Sequence, residues 1–102
     1  MFSIPSILEE SRQITEEFEK LSGRWNWDQQ IAHVHSEVSE VYQAIKHNDE
    51  LKHIYEEMAD VFLSFLTLAN LLGMDSNDIE RAVSEKLAVV KERVRKLKEA
   101  SQ

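Results

Sequence analysis

The chain has 102 residues, 42% of them hydrophobic, with two glycines, one proline and no cysteine. That is one domain with a small core. It excludes the turn-rich β-sandwiches and barrels, and with them disulfides, zinc ribbons, iron–sulfur clusters and thiol catalysis. A formal net charge of −7 runs against a protein that works by neutralising the phosphates of a nucleic-acid polymer.

The apolar spacing is helical from end to end. Ile7, Ile14, Phe18 and Leu21 form the stripe of a first helix. Ser6 and Glu9 have capping-box spacing, Pro5 stands just outside, and Gly23 ends the element. Asn26 or Asp28 caps a second helix with the stripe Ile31, Val34, Val38, Val41, Tyr42 and Ile45. His47, Asn48 and Asp49 make the next turn, with Asp49 as the expected cap of a third helix. Its stripe is Ile54, Met58, Val61, Phe62, Phe65, Ala69 and Leu72, and Gly73 is placed to end it. Asp75, Ser76 or Asn77 caps a fourth helix, whose stripe Ile79, Val83, Leu87, Val90, Val94, Leu97 is coiled-coil-like. Fraying is expected beyond Lys98. The expected fold is all-α: a single domain over residues 1–102, a four-helix bundle-like protomer.

The third helix changes character along its length. From Val61 to Leu72 it is apolar almost all round, since Leu63, Leu66 and Leu68 lie off the main stripe. A helix of that kind must be covered on every side, which one layer of four short helices does poorly. A homodimer or tetramer is therefore expected, with this half-helix near the interface. Twelve residues are too few to span a bilayer. No basic-then-apolar leader opens the chain. The expectation is a cytoplasmic protein that binds no membrane.

Charge is distributed unevenly. Residues 1–78 carry 15 acids and 5 bases, and residues 79–102 carry 4 acids and 7 bases. Four acids stand out. Glu37 and Glu40 are three apart on the second helix, and Glu57 and Asp60 repeat that spacing on the third. A short joint makes these helices an antiparallel hairpin. Each pair lies about two turns from the joint, so the pairs face each other. Both border apolar stripes, where like charges repel and resist desolvation. A hard divalent cation resolves that conflict, and Mg²⁺ is the first choice, with Mn²⁺ possible. The plain alternative is a solvated acidic face, which is the natural reading of Glu9, Glu10, Glu16, Glu17 and Glu50. A di-iron bundle needs two Glu-x-x-His elements, and only Glu50–His53 is present.

Glu37-Val-Ser-Glu40, sixteen residues, then Glu57-Met-Ala-Asp60 resembles the ExxE…ExxD signature of the MazG-like, all-α nucleoside triphosphate pyrophosphohydrolases. The flanks are similar as well: His35–Ile45, Glu56–Leu63, Leu68–Asp75 and Lys86–Arg93. The resemblance covers residues 20–98. It departs at Ser39 and Ala59, where the family often has Gly, and at Val90, where many members carry Asn. The resemblance implies Mg²⁺-dependent hydrolysis of a nucleoside triphosphate substrate to monophosphate and pyrophosphate, in nucleotide house-cleaning. It implies metal ligation by Glu37, Glu40, Glu57 and Asp60, and a proton acceptor in Glu40 or Glu56. It points to Lys86, Arg93 and Lys91 as phosphate-side residues, with Lys91 also readable as a plain flank charge. Trp25 and Trp27 are placed to stack on a base, and Gln30 and His33 to meet its edge; the plain reading of the tryptophans is that they close the core. The rival function is a non-catalytic helical dimer that senses a nucleotide or metal, or docks a partner.

Overall fold

The computed structural model describes residues 3–101. They form four helices and, among the described residues, no strand: α1 (Ile4–Ser22), α2 (Trp27–Lys46), α3 (Leu51–Leu71) and α4 (Ser76–Ala100). No single helix is long and apolar enough to cross a membrane.

Local chemistry sets the ends. The first cap is Ser3, not Ser6: the Ser3 hydroxyl accepts from the Ser6 amide. Pro5 then falls inside the first turn, where its missing N–H costs no hydrogen bond. Glu9 is left to pair with Arg12. Asn26 and Gln29 close a reciprocal capping box on α2, as Asp75 and Asp78 do on α4. The cap of α3 is Glu50, with no side-chain bond, while Asp49 lies 3.5 Å from His53. Gly73 adopts φ +75° after the last residues of α3, the left-handed region that glycine enters without a Cβ clash. α4 stays helical through Ala100, two residues past the expected fraying point.

The helices do not all pack together. α2 lies on α3, α1 lies on α3, and α4 meets α1 alone. The core is small: Leu8, Leu66, Ala69 and Ile79, with Ile7 and Met74 against them. α1 is tied to α3 by Ser11 and Thr67, whose hydroxyls lie 3.2 Å apart, and by the Asn70 amide, which donates to the Leu8 carbonyl. Beyond Ile79 every described residue of α4 is exposed, so the fourth helix projects instead of closing a bundle. The molecule measures 60 × 37 × 31 Å. On α1 the buried positions are Leu8 and Ser11, while Ile14, Phe18 and Leu21 of the expected stripe stay exposed.

Candidate functional site

Glu37 and Glu40 project from α2 toward Glu57 on α3. One carboxylate oxygen from each lies within 4.8 Å of the others. Glu37 and Glu57 are mostly covered, with 13% and 16% of their side chains exposed, and Glu40 is open to solvent. The Oε2 atoms of Glu37 and Glu57 are buried and have no hydrogen-bond partner. Asp60 is exposed, and its charge acts on both Glu37 and Glu57.

Burial pushes the Glu37 carboxyl above the usual carboxylate range; Glu40 and Asp60 push it further and His33 opposes them. Glu57 is pushed up first by burial, then by the neighbouring Glu40 carboxylate, against the pull of His53. Each covered acid thus has a histidine one turn earlier: His33 Nε2 is 3.3 Å from Glu37 Oε1, and His53 Nε2 is 3.4 Å from Glu57 Oε1. The pairing of His53 with Glu57 was legible as an i,i+4 spacing but drowned among other i,i+4 pairs.

Two buried, partnerless oxygens among like charges are costly unless a cation meets them. The donors are all carboxylate oxygens, the chemistry that hard divalent ions take. These residues fit such an ion. Glu37, Glu40 and Glu57 form the compact part of the set.

Beside the acids opens a cleft of about 370 Å³, lined by Ile14, Thr15, Phe18, Trp25, Gln30, His33, Glu37, Asp60, Leu63, Ser64 and Thr67. This is the size of a small-molecule site. Trp25 forms a wall. Its Nε1 donates to Gln30 Oε1 at 2.7 Å, and Gln30 Nε2 donates to the Ser64 carbonyl at 2.7 Å. Gln30 is only 3% exposed, so its amide is spent on holding the indole to α3. The Phe18 ring meets Trp25 edge-on at 5.9 Å. Ile14, Phe18, Leu63 and Thr67 are lining residues that the sequence marked only as core stripe or left unmarked.

Of the sequence-derived site residues, the structure therefore gathers Glu37, Glu40 and Glu57, and sets Asp60, Trp25, Gln30 and His33 at the adjoining cleft. Trp27 is half exposed and does not line it. Glu56 is exposed and lies outside the compact carboxylate set. Lys86, Lys91 and Arg93 are exposed on α4, which packs on neither α2 nor α3.

Fold and site together define an all-helical protein with a carboxylate centre at the edge of a cleft. Residues 26–96 match the family model of the MazG nucleotide pyrophosphohydrolase domain, which spans most of the chain and all four acids. The chain belongs to this family of nucleotide pyrophosphohydrolases. Neither a search of curated proteins nor a search of solved structures gives a match.

Proposed function

We propose that the protein hydrolyses nucleoside or deoxynucleoside triphosphates to the monophosphate and pyrophosphate, with Mg²⁺ bound by Glu37, Glu40, Glu57 and Asp60 and Mn²⁺ as a substitute. The observation that carries this reading is the carboxylate cluster with two orphaned buried oxygens at the mouth of a cleft. The bound cation supplies charge neutralisation for the phosphates; the chain supplies position. Trp25 offers its indole as a flat wall for a base, held by Gln30 and backed by Phe18. His33 at the same wall offers a ring nitrogen to the base or sugar. Water attacks the phosphate chain, the bond between the α- and β-phosphates breaks, and pyrophosphate leaves.

Glu40 takes the proton of that water. It is the exposed member of the cluster, within reach of solvent and of the other carboxylates. Glu56, exposed but outside the cluster, is the second candidate. Lys86, Arg93 and Lys91 serve the phosphates only where a second copy of the chain brings α4 to the cleft. The many exposed apolar side chains of α1 to α4 support assembly as a homodimer or tetramer, with house-cleaning of the nucleotide pool as the role.

The test is a panel of ribo-, deoxy- and damaged nucleoside triphosphates with purified protein and Mg²⁺, with pyrophosphate and orthophosphate quantified separately. Pyrophosphate and monophosphate in equal amounts, lost with EDTA and in Glu40→Ala, are the expected result. No turnover of any nucleotide by a folded protein would favour the non-catalytic sensing dimer instead.

A further inference from the structure

Four apolar stripes remain exposed, and their edges differ in charge. On α1 the stripe is Ile14, Phe18 and Leu21. The positions beside it carry Glu10 and Glu17 on one edge and Leu8, Thr15 and Ser22 on the other. On α2 and α3 the exposed stripes are Val38, Tyr42, Ile45 and Tyr55, Met58, Phe62. Their edges are Val34, Val41, Ser39, Ile54, Val61 and Ala59, with lysines only near the joint. On α4 the stripe Val83, Leu87, Val90, Val94, Leu97 has Lys86 and Arg93 on one edge and Lys91 and Lys98 on the other.

The α4 stripe has the alternating four-and-three spacing of a coiled-coil seam. Two α4 helices cannot pair along it comfortably. In a parallel pair, edge residues of one helix meet those of the other, and every such meeting is cation against cation. An antiparallel pair has the same conflict. The α2–α3 stripes have neutral edges and offer these cations nothing. Only α1 joins an exposed apolar stripe to an acidic edge.

Ion pairing within the chain sharpens the match. On α1, Arg12 engages Glu9 and Glu16, and Glu10 and Glu17 have no ion pair among the described residues. On α4, Arg95 engages Glu92 and Glu99 on the far side of the helix. The seam-edge cations Lys86, Lys91, Arg93 and Lys98 have no ion pair among the described residues. Among the charges without an ion pair on each helix, those beside the apolar stripe are opposite in sign, acidic on α1 and basic on α4.

We propose that α4 of one copy packs along α1 of a second copy of this chain. Its own α1 is the poorer match. Within one chain the two helices meet only near Leu8 and Ile79. The Gly73 turn and the Asp75–Asp78 capping box set α4 at 116° to α3, and Leu21 of α1 stays 88% exposed. The exposed α1 stripe, Ile14–Leu21, covers seven residue steps, about 10 Å of helix, and so meets about half of the Val83–Leu97 stripe of α4. Ile14 and Phe18 also line the cleft. Under the hydrolase reading, this docking carries the α4 cations to the rim of the partner's nucleotide site. The docking itself does not depend on that reading.

A zero-length carbodiimide, which joins lysine amines to carboxylates already in contact, tests it on an equal mixture of ¹⁴N- and ¹⁵N-labelled full-length protein. The expected products are mixed-isotope peptides joining Lys86, Lys91 or Lys98 to Glu10 or Glu17. They are lost in the triple variant Lys86→Glu, Lys91→Glu, Lys98→Glu, with helix content checked by circular dichroism. They return when Glu10→Lys and Glu17→Lys are added to that triple variant, since the charges are then exchanged. Links confined to one isotope, α4-to-α4 links, α4 links only to the acids of α2 and α3, or no α4 links at all would each overturn the proposal. The readout is physical contact, so an inactive wild-type protein would count against the hydrolase reading and not against this docking.

Discussion

Glu37 and Glu57 are held in a state that costs stability. Their buried Oε2 atoms lack partners, and their charges are crowded by neighbouring carboxylates. Glu57→Gln keeps the shape and removes the charge, so it should raise the thermal midpoint of the metal-free protein and remove its response to Mg²⁺, as thermal unfolding with and without Mg²⁺ will show. The pH dependence follows from the raised carboxyls. In the folded state these groups bind a proton more readily than the ordinary value of 4.5, so their penalty is present at neutral pH. It shrinks as pH falls from neutrality toward that value. Urea midpoints of metal-free protein should rise over that window, and the rise should flatten in the Glu37→Gln, Glu57→Gln double variant. Gln30 is a different kind of residue, with both ends of its amide spent. Gln30→Leu leaves the Trp25 Nε1 and a Ser64 carbonyl lone pair without that bridge, at about 1–3 kcal/mol, and should shift the tryptophan emission. The four acids were legible in the sequence because their spacing is rigid along each helix. The role of Gln30 was not, because its partner Ser64 lies thirty-four residues away on another helix.

At the scale of elements, all four helices were readable from apolar spacing, Gly23 and Gly73 from cap chemistry, and the caps Asn26 and Asp75 were each one of several candidates. The two misread caps have different causes. Ser3 and Ser6 both suit the first cap, and only the tolerance of Pro5 within the first turn decides between them. Asp49 and Glu50 compete for the start of α3, and the pull of His53 on Asp49 leaves Glu50 there. The Gly73 turn fixes how α4 departs from α3. Gly73→Ala, at φ +75°, should cost about 1–2 kcal/mol from Cβ strain. Asp75→Ala should cost about 1 kcal/mol from loss of the cap. Chemical denaturation of the two single variants checks both values.

At the scale of the molecule, the apolar stripes say more than the fold of one chain uses. Periodicity records which faces are meant to be covered, by this chain or by another copy. Ile14, Phe18 and Leu21 were read as the stripe of α1, yet they stay exposed and α3 takes the face with Leu8 and Ser11. The α4 stripe beyond Ile79 finds no cover within the chain. That excess is why packing was less legible than helix content. Sedimentation at micromolar concentration should give twice the 11.9 kDa chain mass or more.

The central claim is that the facing carboxylates are a cation site. Calorimetric titration of Mg²⁺ into the wild-type protein and into the Glu37→Gln, Glu57→Gln variant tests it most directly. Saturable binding to the wild type, lost in a variant that remains folded, is the predicted result. Equal heats from both proteins, or no binding to either, would contradict it.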